Sequence, residues 1–287
     1  MSMAIEPVYK FMSGECFHLK GLRENTVWFS SVKDLNDPYE GRVNLKHSDV
    51  SLIDSKVALT HVFDEEIKDL KKSRKEVESF LKRVGMDKFN EHVEKNTKKH
   101  FEDFLTIHHE QRHVLSLSRA REPLSENPIP EPLSLMMMWG HYANGFRGMC
   151  VEYDYHELIR SINVLNDIAV SAKPVDYIEG TLPIIEAKTI LDDIVYKNGN
   201  TSREILRAYC TKHKAWDYEN EVRVISQLHG VNRHSENSIN RVFVSDQNPA
   251  LIKKVKSILK TKKQKPELLK VSLHKKEFGF YFKTIEY

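Results

Sequence analysis

The sequence predicts an α+β fold of antiparallel, split sheets with flanking helices. Three observations predict it. Short β-rich runs recur at both ends and in the middle of the chain. Between them lie segments whose apolar residues repeat at helical spacing. One charged, proline-free stretch, residues 63–111, interrupts the strands as an inserted helical hairpin. The expected organisation is a single α+β domain of residues 1–287 that carries this insertion.

Taken in order, residues 8–12 (VYKFM) read as a short strand, and residues 27–31 (VWFSS) as a second, apolar one. The KDLNDPYEG that follows is a turn cluster. Asn36 and Asp37 before Pro38 favour an extended backbone that then turns, and Gly41 closes it. In the insertion, Ile67, Leu70, Val77, Phe80, Leu81 and Val84 form one stripe, and Gly85 is expected to break the helix. Phe101, Phe104 and Leu105 continue the pattern in a second helix. Residues 114–118 (VLSLS) return to strand character. Pro123, Pro128, Pro130 and Pro132 then form a stiff loop. The stretch LMMMWGHYANGFRGMCVEYD reads as a helix end leading into a strand at Met149–Asp154. Residues 222–226 are another strand, residues 250–260 a basic amphipathic helix, and the last twenty residues a closing hairpin.

Composition limits the classes of function. The 44 basic and 41 acidic residues leave a net charge of +3, so no chain-wide field argues for a nucleic-acid partner, and only local patches can. No apolar run approaches the ~18 residues of a membrane span. The N-terminus lacks a basic start followed by an apolar core, so no secretory signal is expected. The three cysteines, Cys16, Cys150 and Cys210, are scattered, which predicts neither a disulfide framework nor a thiolate metal site. A reducing cytoplasm fits them best.

Several motifs can carry chemistry. Trp139, His141, Tyr142, Asn144, Arg147 and Gly148 fall within ten residues, denser in binding side chains than a core helix needs. Tyr142 can stack on a planar ring, and His141 can bond a phosphate or act as acid–base. Trp139 suits a core anchor as well as a pocket wall. Glu219, Glu221 and Arg223 alternate, so on a strand all three share one face. The same pattern also describes an exposed strand with a salt bridge of little worth. Trp216 and Tyr218 share that parity, and Lys214 precedes them. Ser30 and Ser31 end a strand beside the turn, and Glu40 suits a rim position. His109, Glu110 and His113 match H-E-x-x-H, which on a helix binds zinc through its two histidines, while the glutamate activates water. Lys253, Lys254, Lys256, Lys260, Lys262, Lys263 and Lys265 form a basic run, either a track for a phosphate backbone or a solvated helix face.

Four pieces in this order and spacing resemble a widespread bacterial family, domain-of-unknown-function family 2971. They are VYKF, VWFSSVKDLNDPYEG, MMMWGHYANGFRGMCVEYD and KAWDYENEVRVI. The resemblance spans nearly the whole chain and leaves residues 63–111 as a variable insertion, suited to partner choice. More loosely, the layout is similar to the ADP-ribosyltransferase superfamily, in which a split pair of antiparallel sheets binds NAD as co-substrate. That resemblance implies cleft-facing roles for Tyr9 or Lys10, for Ser30 and Ser31, and for the Glu219-Asn220-Glu221 strand; the residues' own chemistry adds Asn36, Asp37, Trp139 and Tyr142 as candidate NAD contacts. The expected catalytic group is Glu221 and Glu219, with Arg223 to fix a carboxylate or bind pyrophosphate and His141 as acid–base. The early-strand arginine or histidine common in that superfamily has no match here. Breaking a ribosyl–nitrogen bond passes through an oxocarbenium-like state, and a carboxylate on the ribose stabilises it.

Three classes follow. The first is an NAD-consuming transferase or hydrolase acting on nucleic acid or protein, as a toxin or phage-defence effector would. The second is a non-catalytic binding module for nucleic acid or protein. The third is a zinc hydrolase built on His109, Glu110 and His113.

Overall fold

The structure, a computed structural model, describes residues 7–47, 50–121 and 130–287. The chain forms two compact units, one of residues 1–31, 112–177 and 213–287, the other of 32–111 and 178–212. In chain order the first elements are β1 (Pro7–Met12), α1 (Cys16–Glu24), β2 (Thr26–Ser31), β3 (Asn44–Lys46), α2 (Leu52–Ile67), α3 (Leu70–Val84) and α4 (Met86–Gln111). Then come β4 (His113–Arg119), α5 (Glu131–Ser134), α6 (Met136–Tyr142), β5 (Met149–Asp154), α7 (Tyr155–Asn166), β6 (Ser171–Pro174), β7 (Asp176–Ile178) and β8 (Ile184–Glu186). The chain continues with α8 (Ala187–Tyr196), α9 (Asn200–Ala208), β9 (Thr211–His213), β10 (Glu221–Ser226) and β11 (Gly230–Arg233). It ends with β12 (Ile239–Ser245), α10 (Pro249–Lys260), β13 (Glu267–Leu273) and β14 (Phe280–Thr284). The fold is mixed α/β with open sheets and no barrel among the described residues.

In the first unit, one sheet runs β11-β2-β4-β1-β5-β12-β13-β14, with β10 added to β4 and β6 to β10. The strands pair antiparallel except β12 with β13. Strand β4 is the branch point. Its Ser118 and Arg119 pair with β1, whereas its His113 and Val114 pair with β2. The sheet therefore splits beside the middle of β4. There the ammonium of Lys10 reaches across to the carbonyl of Ser116 at 2.9 Å.

Period-two alternation sorts the core into two layers, one on each face of the sheet. Val8, Leu115, Leu117, Val151, Val222, Val224 and Val242 face one way, under Leu19 and Leu22 of α1, Leu158 of α7 and Val255 of α10. Tyr9, Phe11, Cys150, Phe243 and Val271 face the other way, under Leu133, Met138 and Trp139 of α5 and α6. The exit from α6 depends on Gly148. A Cβ there would run into the backbone oxygen of Met12 and lie 2.9 Å from the Ala143 backbone.

The second unit is helical. Ser51 and Asp54 form a capping box that starts α2, and the Asp69 carboxylate caps α3. Gly85, at φ 80°, ends α3, as the sequence predicts. The expected hairpin is instead three helices, and the first begins at Leu52, eleven residues before the predicted start. Strands β3 and β8 pair in parallel at one side of this unit. The turn after Asn36 is built as expected: Asp37 Oδ1 accepts from the Tyr39 amide at 2.9 Å, and Gly41 adopts φ 70°. Of the prolines expected to stiffen the central loop, Pro123 and Pro128 lie outside the described residues, and Pro130 and Pro132 open α5.

Candidate functional site

Strand register brings five polar residues into one row on the α6 face of the sheet. Arg241 pairs with Glu152, Glu152 with Tyr9, Tyr9 with Ser118, and Ser118 with Glu221. Directly paired residues point to the same side, so the row crosses β12, β5, β1, β4 and β10 without changing face. Arg241 clamps Glu152 through Nε–Oε1 at 2.9 Å and a terminal nitrogen–Oε2 contact at 2.6 Å. Tyr9 is fully buried beside the Glu152 carboxylate. Burial first, and the Glu152 charge second, push its phenol far above the ordinary range. At the other end, Arg223 grips Glu221 in a two-point bond, Nε–Oε1 at 2.9 Å and a terminal nitrogen–Oε2 at 3.1 Å, with both side chains buried. The amide of Glu221 donates to the Tyr177 hydroxyl at 2.9 Å.

Glu219 does not continue this strand. The sequence pattern places Glu219, Glu221 and Arg223 on one strand face, but β10 starts only at Glu221. Glu219 ends a 3-10 turn, Lys214–Glu219, and Asn220 follows at φ 40°. Asparagine adopts this left-handed conformation at little cost, and here its side-chain amide also donates across to the Arg119 carbonyl of β4 at 3.0 Å. The turn swings Glu219 to the Tyr142 hydroxyl, which donates to its Oε1. The carboxylate is buried, whereas Tyr142, Trp216 and Tyr218 are partly exposed and His141 is exposed. His141 Nδ1 lies 2.8 Å from the Tyr218 hydroxyl, and the His141, Tyr218 and Trp216 rings have centroids 6.0–6.2 Å apart. Burial first and Glu219 second push the Tyr218 phenol up to about 12. Tyr142 and Tyr218 pack against the same core layer as Tyr9, so the aromatic group adjoins the polar row.

A family model matches this region. Residues 138–224 fit the model described as "Protein of unknown function (DUF2971)". That span holds nearly all of two of the four pieces that carry the sequence resemblance, lacking only Met136, Met137 and Ile225, and with them Tyr142, Glu152, Glu219, Glu221 and Arg223. VYKF and VWFSSVKDLNDPYEG lie outside it. No curated protein and no solved structure matches the chain.

The other predicted residues fall elsewhere. Trp139, counted among the NAD-contacting residues, is fully buried and donates its indole N–H to the Leu133 carbonyl at 2.9 Å, so it is a core anchor. Lys10 points to the opposite face from Tyr9, and with Ser30 it lines a separate cavity. Ser31 pairs with His113 where β2 joins β4. Asn36 and Asp37 belong to the second unit. In that unit Glu40 is no rim residue: its carboxylate is buried and ion-paired with the buried Lys212 at 3.1 Å.

The zinc motif loses its helical premise. α4 ends at Gln111, so His109 and His113 are not successive turns of one helix. His109 stacks on Tyr209 at 5.8 Å, whereas His113 is a buried strand residue against His229 at 4.9 Å. Among the described residues, no group of three or more His, Cys, Asp or Glu could hold a metal.

The basic run also divides. Lys253, Lys254, Lys260, Lys263 and Lys265 are exposed. Lys262 is buried, bonded to Asn25 Oδ1, and close to the Arg23 carbonyl at 3.4 Å. Lys262 is therefore structural rather than a phosphate contact. Lys256 is tied to the Glu286 carbonyl.

Glu152 and Arg241 are the site residues that sequence reasoning missed. Their signal was a charge set inside an apolar strand, MCVEYD and NRVFVS, where an unpaired ion would be too costly to bury.

Proposed function

We infer that the chain is an NAD-consuming enzyme of ADP-ribosyltransferase type, with its reacting centre at Glu219 and Glu221. One observation carries this reading: a buried carboxylate, Glu219, is held by the Tyr142 hydroxyl, and the Tyr142 ring adjoins the surface cluster of His141, Tyr218 and Trp216. Each part matches a demand of the reaction. Flat aromatic rings stack a nicotinamide or adenine, and a fixed carboxylate stabilises the oxocarbenium-like ribose as nicotinamide leaves. Arg223 fixes the orientation of the Glu221 carboxylate, so that it can accept a bond from a ribose hydroxyl.

In this reading the NAD contacts are Tyr142, His141 and the two carboxylates; Lys10 and Ser30 are not part of the centre. The acceptor is water, a protein side chain or a nucleic acid. The exposed ammonium groups of Lys253, Lys254, Lys260 and Lys263 favour the last.

Nicotinamide release from NAD by the purified protein tests the proposal, with and without RNA, DNA or lysate, beside Glu219→Gln and Glu221→Gln. Release that either substitution lowers at least a hundredfold supports it. Folded protein that releases nothing under any condition overturns it, and DNA or RNA binding that persists in both variants would then favour the binding module.

A further inference from the structure

A cavity of about 490 Å³ lies between α1 and the strands β1, β2 and β4. That volume lies within the range of small-molecule sites, about 300–1,000 Å³. Phe17 and Leu22 of α1, Trp28 of β2, Leu115 of β4 and Val231 of β11 line it with hydrocarbon. Three of these face water: Phe17 is 63% exposed, Trp28 54% and Val231 63%. Val231 pairs directly with Trp28, so the two stand side by side on one face. Single exposed apolar residues are ordinary, whereas a group of them around a cavity marks a place where something binds.

The Trp28 ring is held in place although it is exposed. Gly230, in the strand paired with β2, adopts φ 82°, and a Cβ there would lie 3.5 Å from the six-membered end of the indole. The indole thus packs over the glycine, and the His229 ring meets it edge-on at 5.3 Å. A ring fixed in this way loses little freedom when a second ring stacks on it. Charge, by contrast, does not choose the occupant. The Lys10 ammonium lines the cavity but is engaged by the Ser116 carbonyl at 2.9 Å. Lys20 and Glu24 also line it, opposite in sign and exposed on α1. His18 is uncharged at neutral pH, because burial first and Lys10 second push its pKa down to about 4.

We propose that this cavity binds a flat aromatic molecule that stacks on Trp28. The ring supplies selectivity that apolar area alone does not, since aromatic pairs gain more than the surface they bury. The site shares no residue with the cluster of His141, Tyr218 and Trp216, and its occupancy is read without turnover. It therefore stands whether or not the chain consumes NAD.

Calorimetric titration of the full chain with naphthol and with its saturated counterpart, decahydronaphthol, tests it. The two share a skeleton and a hydroxyl, and only the first is flat. The expected result is saturable binding of naphthol, at least fivefold tighter than decahydronaphthol. The tryptophans report where it binds: in an NMR titration the indole N–H signal of Trp28 should shift and that of Trp216 should not, each assigned by its substitution, Trp28→Phe or Trp216→Phe. Trp28→Leu should bring the two ligands within twofold of each other. If that variant does not fold, the native preference and the Trp28 signal decide together. No saturable naphthol binding, a preference below fivefold, an unmoved Trp28 signal, or a preference that survives in folded Trp28→Leu overturns the proposal.

Discussion

Three glycines in the WGHYANGFRG segment should respond to alanine in three different ways, and Gly148 is the severe case. Its Cβ would meet the Met12 oxygen and the Ala143 backbone inside 3.0 Å, a separation real Cβ atoms essentially never show. These obstacles are backbone, not the tip of a flexible side chain. Met12 also sits in the β1–β5 ladder opposite Met149, and the Gly148 amide bonds to the Ala143 carbonyl at 2.7 Å. Relief must therefore move a strand. Overpacking of this kind reaches the upper end of the usual range, about 3 kcal/mol. For a chain of this size that corresponds to a fall in Tm of roughly 6–12 °C. Gly145 has open space but φ 60°, so alanine there should cost about 1–2 kcal/mol. Gly140 is in α6 with nothing within 4 Å, so alanine there should gain up to about 1 kcal/mol. Thermal and urea unfolding followed by circular dichroism would rank the three. A Gly148→Ala protein that melts within a degree or two of Gly140→Ala would refute the argument.

Other expectations follow from the same contacts. Tyr142→Phe removes the hydroxyl that holds Glu219, and should lower kcat for nicotinamide release about tenfold, with the circular dichroism spectrum unchanged; an unaltered kcat would remove Tyr142 from the site. His234 is buried and held low, at about 4, by desolvation, so the folded protein disfavours its charged form. Because the unfolded chain takes up that proton first, stability is full above pH 6.5 and falls as pH drops toward 4, by up to about 3 kcal/mol. Urea titrations at pH 7, 5.5 and 4.5 would show the loss, and His234→Gln should flatten it. Lys262→Met strands Asn25 Oδ1 and the Arg23 carbonyl and should cost about 1–3 kcal/mol, whereas Lys263→Met should cost under about 0.5 kcal/mol. Equal melting points for those two variants would mean that the burial of Lys262 is energetically idle.

Strands with alternating or continuous apolar residues were legible: β1, β2, β4, β5, β10 and the closing β13–β14 pair all lie where their patterns place them. So does α10, whose apolar residues repeat at helical spacing between lysines. Helix α1 was not legible, because CFHLKGLRE is short, carries a central glycine and buries only Leu19 and Leu22. The strands between residues 167 and 213 are three or four residues long, too short for alternation to register. Glu219 shows how a true pattern can mislead. E-N-E-V-R alternates as a strand does, yet Asn220 takes a left-handed conformation that asparagine adopts at little cost, and one residue there redirects the carboxylate. Lys262 shows the converse, since a lysine in a basic run looks solvated until the fold closes over it.

The row from Arg241 to Glu221 draws its members from positions 9, 118, 152, 221 and 241. Each strand brings one member, and no two of the five lie within nineteen residues of each other along the chain. During synthesis the first member leaves the ribosome long before the last: Tyr9 waits for β5 to supply Glu152, and Glu152 waits in turn for Arg241 of β12. A truncated product ending before residue 241 would leave Glu152 without its arginine, a buried anion in an unfinished sheet. Such sequence-distant pairings also make for slow folding. The maturity of the molecule is thus reported by its centre: whatever chemistry the row performs is withheld until nearly the whole chain has been made.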